Sequence, residues 1–277
     1  MSVDLSGFDK EVAVLGAGVM GSAVLNGLLA AGLPTERARV STLDPEAVSR
    51  WEEAGVEVRE NAAAVRGAGV IIVAVKPGDV PAVLDEVREA LAEAAPQAVV
   101  VSLAAGVPLA TLSEHVDQGR ALVRVMPNTP ALVGEGAFAL SPSPQWPQEV
   151  VDQVCELLSA CGRVQVIPEK LQNAATGLSG SGPAYVFHVA EALIEAGVLE
   201  GLPRPVATEL AVQTLYGAAT MLRQSDTHPS LLREQVTSPG GTTAAGLREL
   251  DRAGVRAGLG AAVSASAAAS ARMGSPA

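Results

Sequence analysis

The chain is poor in aromatic side chains, at 3%, and its 277 residues include only three lysines, three histidines and two cysteines. Cys155 and Cys161 stand six apart, in no CxxC pair and beside no histidine. Neither a disulfide framework nor a metal site is expected from them, and free thiols in a reducing compartment are. No run of about twenty apolar residues occurs, and the opening MSVDLSGFDK lacks an apolar signal core, so no membrane span is expected and the cytoplasm is the expected location. Net charge is −11 with an isoelectric point near 4.8. Clustered cations that would neutralise phosphates are missing, so no nucleic-acid partner is expected, and the acidity serves solubility.

Ala, Val, Gly and Leu dominate what is present, and the chain is long enough for two domains. From Glu11 to about Ile167, short Val-rich runs alternate with helical stretches. EVAVLG predicts a buried strand, and VMGSAVLNGLLAAG predicts a helix that stops at Gly32. RARVSTL, VEVRE, GVIIVAVKP, AVVVSLAAG and ALVRVMPN predict further strands, with PEAVSRWEEAG and one long helix, DVPAVLDEVREALAEA, among them. Successive βαβ units of this kind predict an open, doubly wound α/β sheet. A Pro-rich stretch, SPSPQWPQE, interrupts the pattern before a helix near Val150–Ala160 and a strand near Arg163–Ile167. Everything from Glu169 onward reads as helix. The expected domains are 1–168, a Rossmann-like sheet, and 169–277, all helical, with the last few residues frayed.

Gly16-Ala17-Gly18-Val19-Met20-Gly21 follows the first strand and opens its helix, the context in which GxGxxG holds a dinucleotide pyrophosphate. Strand two ends Thr42-Leu43-Asp44-Pro45, with no cation until Arg50. Asp44 has two equal readings: acceptor for the ribose 2′-hydroxyl of NADH, or N-cap of the next helix with Pro45 in its first turn. The cofactor is therefore NADPH or NADH. Ala74-Val75-Lys76-Pro77 ends the fourth strand at the sheet's carboxyl edge, where Lys76 suits a point-charge contact to the dinucleotide or is simply a solvated strand end. Ala104-Ala105-Gly106 has the small residues a nicotinamide ring needs beside it, or makes a simple tight turn. MPNTP (Met126–Pro130) forms a rigid loop at the same edge. SGSGPAY (Ser179–Tyr185) opens the first helix of the second half.

Taken with VTSPGGTT (Val236–Thr243), these motifs resemble the Δ1-pyrroline-5-carboxylate reductases of proline synthesis, in order, in spacing and over nearly the whole chain. The resemblance implies an NAD(P)-binding domain followed by a helical dimerisation domain. It also implies a homodimer, often built into a ring of dimers, with a substrate pocket closed by helices of two subunits. Leu15–Met20, Asn61, Ala74–Pro77 and Ala104–Gly106 match the family's dinucleotide contacts. Glu169, Gln235, Val236, Thr242 and Thr243 match its positions near 1-pyrroline-5-carboxylate or L-proline. Two departures stand out: Thr42-Leu43-Asp44 where many members carry Asn-Arg-Thr, and Gln235 where several carry Asn.

Reducing a carbonyl creates an alkoxide and calls for a positioned acid. A protonated cyclic imine brings its own proton, so hydroxyls, amides and positioning suffice. The histidines agree with that lighter demand: His115 and His228 have no charge partner along the sequence, and His188 reads as a packed residue in an apolar helix. In VTSPGGTTAAGLREL, Gly240 and Gly241 let the backbone bend, and the helix begins at Thr242 and Thr243. Its N–H groups, with Ser238, would cradle a carboxylate, while the Thr243 hydroxyl contacts the ring nitrogen. The competing reading is a helix cap made by Ser238 and Thr242. Other enzymes considered are imine reductases and β-hydroxyacid dehydrogenases, but the latter use a lysine on the second domain's first helix, and Gly182–Leu202 contains none. A non-catalytic redox sensor would need the fingerprint without the second-half motifs.

Overall fold

The computed structural model describes residues 3–274 apart from 96, 118 and 145. The fraying expected at the carboxyl terminus falls on residues 275–277, outside the described ones.

The first half is one eight-stranded sheet among the described residues, ordered β3-β2-β1-β4-β5-β6-β7-β8. Its strands are β1 (Val12–Leu15), β2 (Ala38–Ser41), β3 (Glu57–Val58), β4 (Val70–Val73), β5 (Val99–Ser102), β6 (Ala121–Met126), β7 (Gly136–Pro142) and β8 (Gly162–Val166). The first six run parallel. β7 pairs antiparallel to β6, and β8 follows β7 in parallel, so the last two strands oppose the rest. The sequence reading has no strand at 136–142. Its residues, GAFALSP, mix small side chains with two large buried ones, Phe138 and Leu140, and offer little of the Val-rich signal carried by the parallel strands.

The continuous apolar runs of β1, β4 and β5 follow from burial on both faces. Val12, Val14, Val70 and Ile72 enter one core with residues of α1 (Val19–Ala30), α2 (Pro45–Glu53) and α7 (Gln148–Ser159). Their alternates Ala13, Leu15, Ile71 and Val73 enter the other core. That face is covered by α3 (Asn61–Val65), α4 (Val80–Glu86), α5 (Arg88–Ala92) and α6 (Leu109–His115). α4 and α5 replace the single long helix expected from 79–94. Val87 sits at φ −92° and ψ 1°, which breaks the helix while keeping its own side chain fully buried. α1 ends as expected: Gly32 has φ +97°, a conformation that a Cβ would strain, and Leu33 N donates back to Leu28 O at 3.0 Å.

Compact packing divides the chain after Ser181 rather than after Pro168, and residues from Ala265 rejoin the first unit. The later division follows from α8 (Gln172–Ala175), whose fully buried Gln172 donates to Ala139 O at 3.0 Å and Ser141 Oγ at 2.8 Å on β7. The second unit, Gly182–Ser264, is helical throughout. It holds α9 (Gly182–Leu199), α10 (Arg204–Gln224), α11 (Pro229–Gln235), α12 (Thr242–Arg252) and the first part of α13 (Val255–Met273). Ala207 is its only buried apolar residue among those described.

Candidate active site

Parallel registration of the first six strands brings the expected cofactor residues to one edge, the carboxyl ends of the strands. Gly16–Met20 follow β1, Thr42–Asp44 follow β2, Asn61 opens α3 after β3, Ala74–Pro77 follow β4, and Ala104–Gly106 follow β5. Gly16 and Gly21 are required locally. Gly16 lies at φ +100°, and a Cβ there would stand 2.9 Å from the backbone of Ala74. At Gly21 a Cβ would stand 2.0 Å from Gly16 O. At Gly18, the N-cap of α1, a Cβ would have no atom within 4 Å, and no side chain caps the helix. The start of α1 thus has no side-chain cap and open space beside Gly18, which fits a dinucleotide pyrophosphate.

The individual residues play distinct parts. Leu15 is fully buried in the core, so only its backbone is available at the edge, whereas Val19 is exposed at the start of α1. Asn61 donates to Glu86 Oε2 at 2.9 Å, and Lys76 is exposed. Asp44 caps α2: its Oδ1 accepts from Glu46 N at 3.0 Å, with Pro45 in the first turn. Gly106 is a turn residue at φ +77°, where a Cβ would also meet Met273 Cβ at 2.9 Å.

Behind the edge lie contacts that the sequence reading missed. Arg124, 7% exposed in the otherwise apolar β6, donates to Glu169 Oε1 at 3.2 Å, and the same oxygen accepts from Leu109 N at 2.7 Å. Glu169 is therefore a clamp between β6 and the start of α6. An arginine inside ALVRVM was the available signal. Asn128 of MPNTP is also buried; it accepts from Ala137 N at 2.8 Å and donates to Ser179 O at 3.0 Å. Ser179 belongs to a π-helical turn, Thr176–Gly180, closed by Ser181 N donating to Thr176 O at 2.9 Å. Such turns recur at functional sites.

In the second unit, Gln235 ends α11, Val236 follows it, and Ser238, Gly240 and Gly241 lead into α12 at Thr242 and Thr243. Gly240 has φ +69°, and a Cβ on Gly241 would stand 2.3 Å from Ser238 Oγ. Gly241 is the N-cap, no side chain caps α12, and its first turn contains no acid. The cap by Ser238 or Thr242 is thus not made. Thr242 and Thr243 are exposed beside the uncapped N–H groups, an arrangement that favours an anion.

Two histidine expectations need correction. His115 has a charge partner, Asp85, with Nδ1 2.9 Å from Oδ1, and this contact, with Arg88, holds the Asp85 carboxyl below its usual range. The partner lies in α4, thirty positions away, beyond the reach of a local sequence reading. His188 is exposed rather than packed, because the second unit has almost no core of its own. His228 caps α11 by accepting from Ser230 N.

Residues 169–273 match the family model described as pyrroline-5-carboxylate reductase dimerisation. Residues 11–106 match the one described as NADP oxidoreductase, coenzyme F420-dependent. The pyrroline-5-carboxylate reductase of Corynebacterium melassecola is 42% identical over 254 residues, spanning 88% of this chain and 92% of the relative. The chain belongs to the pyrroline-5-carboxylate reductase family. It carries the family's dimerisation segment and is an NAD(P)H-dependent oxidoreductase. Among solved structures, the Coxiella burnetii pyrroline-5-carboxylate reductase matches with a TM-score of 0.91 at 30% identity, over 96% of this chain and 99% of that one. The Plasmodium falciparum enzyme with NADP bound matches with a TM-score of 0.85 at 32% identity, over 96% and 99%.

Proposed function

We propose that this reductase converts 1-pyrroline-5-carboxylate to L-proline, the last step of proline synthesis, and that the two motif clusters divide the work. The strand edge holds the dinucleotide; when bound, its reduced nicotinamide supplies a hydride to the C=N carbon. Gly16–Met20 hold the pyrophosphate through backbone N–H groups, and Ala74–Pro77 and Ala104–Gly106 admit the rest of the cofactor closely. The uncapped start of α12 holds the substrate carboxylate. Gln235, Val236 and Ser238 flank it, and Gly240 and Gly241 shape its approach.

The single observation that supports this best is the α12 N-terminus itself: two exposed hydroxyls, N-cap Gly241, no side-chain cap and no acid in the first turn. A neutral anion site suits an amino-acid carboxylate, and the absence of a strong acid suits an imine that arrives protonated. Thr243 then orients the ring nitrogen by hydrogen bond while the hydride adds to carbon. The product is the secondary amine of proline.

Among the described residues, no helix is long and apolar enough to cross a membrane. The two cysteines are free, which supports a cytoplasmic location. A homodimer is the working unit, and a ring of such dimers is the larger form we propose. The test is Thr243→Ala, assayed for kcat and KM with 1-pyrroline-5-carboxylate. Loss of one hydrogen bond to a charged group predicts a fall in kcat/KM of about tenfold or more in a folded protein. Unchanged constants would remove Thr243 from the site.

A further inference from the structure

The end of β2 carries an acid where selection between NADH and NADPH is made. In open α/β sheets the residue at this position meets the adenosine ribose: an acid accepts the 2′-hydroxyl, whereas a nearby arginine accommodates a 2′-phosphate. Here Leu43 is fully exposed and Asp44 follows it. Asp44 N bonds Thr42 Oγ1 at 3.2 Å, and its carboxylate is fixed by the cap bond from Glu46 N at 3.0 Å. The cap uses one oxygen, and an ionised carboxylate has about four acceptor sites, so the cap and a ribose hydroxyl are compatible. The two sequence readings of Asp44 therefore describe one conformation.

The cations that follow this edge in the chain, Arg50 and Arg59, already have partners. Arg50 donates to Ser22 Oγ at 3.0 Å on α1, and its guanidinium lies 5.3 Å from the Trp51 ring centroid. Ser22 Oγ in turn donates to Ala17 O at 2.9 Å, so Arg50 is tied to the first turn of α1. Arg59, next to β2 after β3, pairs with Glu57. A 2′-phosphate would face the Asp44 carboxylate, with Glu46 in the first turn behind it.

We infer that Asp44 selects the dinucleotide, accepting the ribose 2′-hydroxyl and repelling a 2′-phosphate, so that this chain binds NADH more tightly than NADPH. The inference rests on the reading of the strand edge as the dinucleotide site. It sets this chain apart from the Plasmodium relative, whose structure has NADP bound.

Calorimetric titration of the full chain with NADH and NADPH tests it, without need of turnover. NADH is expected to bind at least about tenfold more tightly, the worth of one charge-assisted hydrogen bond. Asp44→Asn keeps a good N-cap and the melting temperature but removes the charge, so the two affinities should converge. Leu43→Arg with Asp44→Ser, which also keeps a capping residue, should invert the preference. Equal or tighter binding of NADPH by the unaltered chain overturns the inference, as does a ratio unmoved in Asp44→Asn. Binding of neither dinucleotide overturns the reading of the edge itself.

Discussion

Cys161 shows how closely a single side chain can be held. It is fully buried where β8 begins, its sulfur 3.5 Å from Val24 O, and a Cβ on Gly27 would stand 2.3 Å from that sulfur. Burial pushes its thiol up to about 12. The unfolded thiol ionises near pH ~8.5, so the neutral native form contributes fully below that pH. Its contribution falls as pH rises from there towards 12. Denaturation midpoints should therefore drop between neutral and alkaline pH, and Cys161→Ala should flatten that drop; equal slopes for both proteins would contradict the account. Half-buried Cys155 shifts in the same direction through burial and then the nearby Asp152 charge. At this scale the sequence shows that the thiols stand apart from any partner motif. It does not show which is sealed, because Gly27 is far away in the chain.

At the scale of elements, the start of α1 is the most constrained. Gly21→Ala would place a methyl 2.0 Å from Gly16 O, a backbone atom that cannot give way without moving the turn. The expected cost is about 1–3 kcal/mol of stability, as for other overpacked sites, together with weakened dinucleotide binding. A melting curve and a titration with NADH check both, and wild-type affinity would contradict the role given to the turn. This turn was legible in the sequence because strand, glycines and helix follow one another locally. So were the parallel strands, whose two-sided burial writes itself as unbroken apolar runs. β7 was not, because its pairing with β6 is decided by partners and, Phe138 and Leu140 apart, its residues are small or polar. The uncapped start of α12 was half legible: the glycines and threonines announced a special helix start. Only the backbone shows that Ser238 and Thr242 leave the cap to Gly241.

For the whole molecule, the two units contrast in how they are stabilised. The sheet unit closes two cores of its own. The helical unit leaves Phe187, Leu210, Tyr216 and Met221 exposed and buries one apolar residue among those described. A unit so poor in core depends on association, in keeping with the family's dimerisation segment that spans it. The central claim concerns what the assembled protein does. Its most direct measurement is turnover by the purified full-length protein of 1-pyrroline-5-carboxylate with a reduced dinucleotide, with proline quantified as product. The account predicts one proline for each dinucleotide oxidised. Dinucleotide binding without proline formation, or turnover of a β-hydroxyacid in place of the imine, would contradict it.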